Sequence, residues 1–524
     1  MYIEPGTNIR ILHNVPLDTT YDHTLYFATA SAQETYFISK QKYNLTNYSY
    51  QRVQRGIARV GIKADDLYDC NYMMFQNTNY GNKWFYGFIT SVEFINNETS
   101  QISFEIDVMQ TWHFDYEPEH CFVEREHSLT DNIGDNLVPE SLALGEYVFN
   151  NYDAVYHGLH QFAVIIAIVD VTQPVAGKQY DGVYGGATLY AYDADDTTGI
   201  NGLLAGYLQK PEAIVGMYML PSSLLRSISE SSDPAQHAIP AWTEAERVPI
   251  NLGSAIAKTD TLDGYTPKNA KLYTYPYNFM SVSNGCGASL TLRYEFFPNK
   301  QPKVELTGCI TQPVKVSLRP IGYKWIGTGN PIVGTNTLNS ETLELSNYAL
   351  CSWNMDSYTA WIAQNSIPML LGGINRGVSI AGSFMSGNVG GAVGSIVGAV
   401  TDTMSKFYQA SIMADISGGS FSNGSGDIGS GKKNFYFGRC SINHEFARMI
   451  DDYFTMFGYA MNRVKVPNRN SRPYWNYVKT LGCCVTGSVP ADDMLKICSI
   501  YDHGVTFWKN GDNVGRYDLS NSPS

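Results

Sequence analysis

Three histidines, His113, His120 and His127, recur at a spacing of seven, with Cys121 beside the second. Imidazole and thiolate are zinc donors, but this spacing matches no tetrahedral zinc pattern. Pro118 would also interrupt any helix that stacked them, so we expect no metal. Glu117, Glu119, Glu124 and Glu126 are interleaved with these residues. A pair of carboxylates at the right separation would serve glycoside hydrolysis. Nothing in the spacing brings two of them to that separation, and we expect them to be solvated or to face another subunit. Asp193 and Asp195 lie in AYDADDTTGINGLLAGYLQ, which has the look of a cation loop. Thr198 stands where an EF-hand loop needs glycine, and Leu204 where it needs a bidentate glutamate. A turn feeding a short helix is the expectation there.

Arg463, Lys465, Arg469, Arg472 and Lys479 form a basic run with no acidic residue between its ends. Such a run suits DNA phosphates or the acidic surface of a neighbouring subunit. The chain carries a net charge of −13, whereas a general nucleic-acid binder is basic, so we expect the subunit contact. The motifs GxSxG and HExxH and the P-loop are absent, and no GxGxxG opens a plausible dinucleotide unit. No cofactor is expected, and the chain does not read as an enzyme.

The positioning elements are mostly strands. Hydrophobic residues make up 44% of the 524, and tyrosine is the commonest aromatic with 37 copies, a composition suited to sheets and subunit interfaces. The clearest unit is a hairpin. Trp84, Tyr86, Phe88, Val92 and Phe94 share one face at period two, as do Ile102, Phe104, Ile106 and Val108, with Asn96–Thr99 as the turn. Gln161–Val171 is a continuous apolar run suited to a fully buried strand. Strands return between Leu272 and Pro320. Helical stripes appear at Phe446, Met449, Ile450, Tyr453, Phe454 and Phe457, and at Met494, Ile497, Cys498 and Tyr501, the latter ended by Gly504. The nine cysteines are odd in number and form no CxxC pair, which reads as a reduced, cytosol-made inventory. The opening MYIEPGTNIRILHN has neither a basic n-region nor an apolar h-region, so no signal peptide is expected.

One stretch stands apart. Between Gly377 and Thr401 there is no charged residue. Its apolar residues are Val378, Ile380, Phe384, Met385, Val389, Val393, Ile396, Val397 and Val400, while Gly390, Gly394 and Gly398 keep small-xxx-small spacing. As a helix it would span about 36 Å, enough to cross a bilayer. Yet its seven glycines oppose a helix in water by roughly 7 kcal/mol, and each apolar residue favours insertion by only about 0.3–0.6 kcal/mol. A segment sheltered first and exposed to a membrane later fits better than a permanent span. Helical patterns flank it at Asn354–Gln364 and from Met404 to Ile412, and a Gly/Ser linker follows.

The hairpin sequence MMFQNTNYGNKWFYGFITSVEFINNETSQISFEIDVMQTWHFD (73–115), followed by REH (125–127), resembles the tail knob protein of small short-tailed bacteriophages of Gram-positive hosts. FGYAMNRVKVPN (457–468), YWNYVKT (474–480) and IYDHGVTFW (500–508) carry the same resemblance, with YPY at Tyr275–Tyr277 a lesser match. The resemblance implies a structural homohexamer at the distal tail tip. Its terminal parts build a β-rich tube through which phage DNA passes without specific binding, and other tail or lower collar proteins attach it. It also implies that the apolar loop plugs the lumen and, once released, enters the host cytoplasmic membrane.

The expected fold is thus mainly β with minor α, multidomain, with β-barrel or tail-tube-like domains forming a ring and an apolar loop inserted between helices. Residues 1–130 would be an N-terminal β-rich tube region and 131–350 a middle β-rich region. Residues 351–431 would be the helix-flanked loop and linker, and 432–524 an α+β region completing the tube. A receptor-binding or cell-wall-degrading tail protein and a collar protein are the alternatives.

Overall fold

The computed structural model describes residues 6–48, 56–78, 81–155, 161–324 with breaks, 343–346 and 435–523. They gather into two units. One takes Met1–Gly145, Gly264–Thr274 and His444–Ser524; the other takes Glu146–Asp263 and Tyr275–Asn443. Both are dominated by sheets, as the alternating patterns imply.

The first unit contains a six-stranded antiparallel sheet in the order Gln41–Tyr48, Thr7–His13, Cys70–Asn77, Phe85–Asn96, Thr99–Ile106, Ile57–Val60. The hairpin is where the period-two pattern places it, but its apolar residues do not share one face. A register shift between Ile89 and Ser91 leaves Thr90 without an opposite residue, and one extra residue swaps the faces of everything beyond it. Tyr86 and Phe88 therefore pack with Tyr72, Met74, Val108 and Met109. Val92 falls on the other side, with Ile89, Met73, Ile102 and Phe104. Phe94, expected to be buried, is 65% exposed. The sheet is thus apolar on both faces, with a separate core against each.

The second sheet of this unit runs His23–Leu25, Val505–Trp508, Trp475–Leu481, Cys121–Glu126, Tyr459–Lys465. The short strand His23–Leu25 lies parallel to Val505–Trp508, which joins the two ends of the chain in one sheet. Trp475, Val478, Phe507 and Trp508 share a core with Leu12, Phe37, Tyr72 and Phe88. Both expected C-terminal helices form. His444–Phe457 buries Ile450 and Phe454 but leaves Met449 exposed. Ala491–His503 buries Ile497 and Tyr501 and stops at Gly504, whose φ is 106°.

Among the described residues the other unit holds the two-stranded pair Gln179–Tyr180 and Val183–Tyr184 and three four-stranded sheets. Their orders are Tyr147–Ala154, Tyr436–Ile442, Asn278–Ser283, Ser289–Leu292; then Ile214–Pro221, Phe162–Ile168, Thr188–Asp193, Ala238–Ile239; then Val248–Ile250, Val304–Cys309, Lys315–Pro320, Leu343–Ser346. Every residue of Phe162–Ile168 is buried, which is why that strand reads as an unbroken apolar run.

Gly458 joins the helix His444–Phe457 to the strand Tyr459–Lys465 with φ 66°, and a Cβ there would lie 2.2 Å from the Glu126 carbonyl oxygen. Gly482 has nearly the same φ, 67°, but open space around it. Gly482→Ala is expected to cost only left-handed strain, of order 1 kcal/mol. Gly458→Ala adds a backbone clash and should lower the chemical-denaturation midpoint clearly more. Equal shifts in the two variants would refute the close approach.

Candidate functional site

Glu124 and Glu126 lie on the strand Cys121–Glu126 and Glu117 on the short strand Tyr116–Pro118, and the structure gives each of these three carboxylates a basic partner. Glu126 is fully buried. Its carboxylate takes the Lys465 ammonium and the Asn468 N–H at 2.9 Å. Arg469 reaches Glu117 at 2.7 Å and Lys479 reaches Glu124 at 3.0 Å. Lys465, Arg469 and Lys479 of the basic run thus pair with carboxylates of their own chain. The expectation that Glu126 is solvated or faces another subunit is corrected: it is buried within its own chain. Antiparallel pairing of Tyr459–Lys465 and Trp475–Leu481 on either side of Cys121–Glu126 is what brings these opposite charges together. The exposed pairs contribute at most about 1 kcal/mol each. Arg472 differs from the rest of the run: it is 3% exposed, and Nη1 donates to the Asn521 carbonyl at 3.3 Å.

The three histidines do not converge. His120 is exposed. His113 is buried with Nε2 2.9 Å from the Phe27 carbonyl oxygen. His127 is buried, accepting the Tyr477 N–H on Nδ1 at 2.8 Å and donating from Nε2 to the Thr455 carbonyl at 3.1 Å. Burial pushes the His113 pKa down to about 4. Burial, aided by the Arg472 charge, pushes that of His127 down to about 3. Among the described residues no group of three or more His, Cys, Asp or Glu is arranged to hold a metal ion. Asp195 is exposed, and the neighbouring Asp196 caps the helix Thr197–Gly206 by accepting the Gly199 N–H at 2.9 Å, the turn-and-helix role expected of this loop.

A polar clamp is the most developed arrangement in this unit, and no spacing in the sequence announces it. Asp451, on the helix His444–Phe457, is fully buried. Its carboxylate accepts from Tyr265 O–H at 2.8 Å, Lys268 N–H at 2.7 Å, and Asn269 N–H and Nδ2 at 3.0 and 2.8 Å. Nearby, the buried Glu140 carboxylate takes Lys271 Nζ at 2.6 Å, the Ala460 N–H at 2.8 Å and the Arg125 guanidinium. Burial pulls Lys271 below its ordinary ammonium pKa, and the Glu140 charge opposes that pull. Both carboxylates hold the segment 264–274, which enters this unit from a sequence-distant part of the chain. Their partners lie 131 and 182 residues away, so no local pattern could have revealed them. Hydrogen-bonded in this way, these carboxylates act as ties between backbone segments.

The residues expected to act on membranes, Val378, Ile380, Phe384, Met385, Val389, Gly390, Val393, Gly394, Ile396, Val397, Gly398 and Val400, lie outside the described residues, as do the two flanking helical patterns. Among the described residues no helix is long and apolar enough to cross a membrane.

Comparison with known proteins bears on the whole chain. Residues 245–522 match the family described as the C-terminal domain of tail knob protein gp9 of Bacillus phage phi29, and residues 5–117 match the caudoviral major tail protein N-terminus. The chain is 28% identical to tail knob protein gp9 of Bacillus phage phi29 over 98% of each sequence. It is 26% identical to that of Bacillus phage B103, again over 98% of each. The solved structure of the bacteriophage C1 tail knob protein, gp12, matches with a TM-score of 0.57 at 15% identity, covering 97% of this chain and 98% of that one. That last likeness concerns the fold. The motifs at 73–115 and 457–508 thus point to the same family as the full-length matches.

Two outcomes test the clamp and the buried histidine. Asp451→Ala leaves two backbone N–H groups and the Tyr265 hydroxyl without their acceptor, which should cost about 3 kcal/mol or more. Limited proteolysis of the variant should open within 264–274 before the rest of this unit. His127 has the ordinary pKa near 6.5 when unfolded and about 3 when folded, so the unfolded chain binds more protons between those values. Its contribution to stability is therefore intact above about pH 6.5 and is lost as pH falls toward 3. Asp107, raised to about 6 by burial, acts in the opposite sense, but it is common to wild type and variant. His127→Gln should lose less of its thermal midpoint than wild type between pH 7.5 and 4.5, and parallel losses would refute the assignment.

Proposed function

Because this chain belongs to the phage tail knob protein family, we propose that it is a structural component of a virion tail. In this reading it forms the distal tail tube and releases DNA through it. The observation that carries the structural role is the match to tail knob proteins over 98% of both sequences. The match of residues 5–117 to a major tail protein N-terminus supports a tube-forming role for the six-stranded sheet. The arrangement of charge agrees with it: the carboxylates Glu117, Glu124 and Glu126 are each engaged by a basic side chain, which suits rigid scaffolding better than acid–base turnover.

The finer steps of the proposal are these. Copies of the chain, six by resemblance, close a ring attached to other tail or lower collar proteins. A net charge of −13 per chain lets DNA pass without adhering, since like charges repel. The uncharged stretch around Val378–Val400 is stored inside the assembly. When it is released to the host cytoplasmic membrane, the small faces of Gly390, Gly394 and Gly398 let several copies associate. What supports this is the absence of charge over Gly377–Thr401 combined with glycine spacing that opposes a permanent span.

The test uses the full-length protein and a variant lacking Gly372–Gly431. Both should form closed hollow rings in negative-stain images. Only the full-length protein should release dye from phosphatidylcholine–phosphatidylglycerol vesicles. Leakage at the full-length level from the deletion variant would overturn the membrane step, and an absence of rings would overturn the conduit.

A further inference from the structure

Arg472 breaks the pattern of its own basic run. Lys465, Arg469 and Lys479 each meet a carboxylate. Arg472 is only 3% exposed, yet among the described residues it forms no ion pair. A guanidinium carries five N–H donors. Among the described residues its side chain uses one, donating from Nη1 to the Asn521 carbonyl at 3.3 Å, and Nε is buried without a partner. Buried charges are ordinarily paired, because an uncompensated one is costly.

Arg472 lines a cavity of about 280 Å³ in the first unit, together with Asp131, Lys268 and residues 518–522. Those last residues form a strap pinned at Asn521. Its Oδ1 accepts the Tyr474 and Trp475 N–H groups at 3.1 and 3.3 Å, and its Nδ2 donates to the Trp475 carbonyl at 2.9 Å. The other charged groups of the wall are already engaged. Lys268 lies 3.4 Å from Asp452, and Asp518 lies 3.1 Å from Arg516. Asp131 accepts the Tyr459 O–H at 2.6 Å and the Ala270 N–H at 3.2 Å. Its charge reaches Arg472 across space without a hydrogen bond to it.

We propose that this cavity binds a small carboxylate monoanion, gripped by Arg472 beneath the strap. A planar carboxylate matches the donor fork of a guanidinium. Asp131 shares the wall and repels a second negative charge, so a monoanion fits better than a dianion. Drug-sized ligands occupy pockets of about 300–1,000 Å³, so this one admits only a small molecule. Burial pulls Arg472 below its ordinary guanidinium pKa, and the Asp131 charge opposes that pull; a bound carboxylate opposes it further. The anion joins the turn before Trp475–Leu481, the segment 264–274 and the strap. A ligand that binds only the folded form stabilises it, so the first unit gains stability as the carboxylate is added. This inference does not depend on the conduit reading.

The experiment follows hydrogen–deuterium exchange of the full-length protein at pH 7, with acetate, chloride or sulfate added at equal ionic strength. Acetate should slow exchange in peptides covering 268–274 and 518–522 at concentrations where chloride and sulfate do not. Arg472→Gln loses charge-assisted hydrogen bonds, so its half-effect acetate concentration should rise about tenfold or more. Ser522, on the exposed side of the strap, also lines the cavity. Ser522→Trp fills the cavity and should weaken the response similarly, which decides the matter if Arg472→Gln does not fold. Absence of protection by acetate, equal protection by chloride or sulfate, or an unchanged acetate response in Ser522→Trp would each overturn the proposal.

Discussion

Asp451 sits where the first unit would otherwise come apart. A buried carboxylate is costly unless its lone pairs are filled, and this one is filled by Tyr265, Lys268 and Asn269. The helix His444–Phe457 thereby gains a fixed partner in a segment that the chain reaches only after leaving the unit at Gly145 and returning at Gly264. Glu140 repeats the device with Lys271, Arg125 and Ala460. Removing one partner of such a buried ion pair costs about 3–5 kcal/mol, because the charge left behind has no compensation. The unit is built from three stretches of chain, and these two carboxylates tie the middle stretch to the others.

Around that tie the sheets show why mere alternation is an incomplete guide. The bulge at Thr90 turns one apolar stripe into two, so the six-stranded sheet buries Tyr86 and Phe88 in one core and Val92 in another. A sheet covered on both faces can join the N-terminal strands to the C-terminal Trp475–Leu481 and Val505–Trp508 through one core while keeping a second core of its own. The physical consequence is a scaffold in which both ends of the sequence depend on each other.

The same geometry removes the apparent chemistry. Glu126 with Lys465, Glu117 with Arg469 and Glu124 with Lys479 are cross-strand or near-strand neighbours, so the acidic cluster and the basic run largely neutralise each other within one chain. His113 spends Nε2, and His127 both ring nitrogens, on backbone groups. Membership of the tail knob family gives such a mutually satisfied framework a use as a structural component of a tail.

The sequence by itself determined the kinds of element and the family. Period-two alternation located the hairpin, an unbroken apolar run located Phe162–Ile168, and helical stripes located His444–Phe457 and Ala491–His503, because side-chain direction repeats at two residues in a strand and 3.6 in a helix. The motifs at 73–115 and 457–508 pointed to the family, since long uncommon strings match by chance far less often than single residues do. Tertiary structure alone decided which face Val92 and Phe94 take, because one inserted residue reverses the phase without altering composition. It also decided that Lys465, Arg469 and Lys479 meet their own chain's carboxylates, and that Glu140 and Asp451 serve as buried ties. Those partners are separated by more than a hundred residues, and only the folded backbone brings them within hydrogen-bond distance.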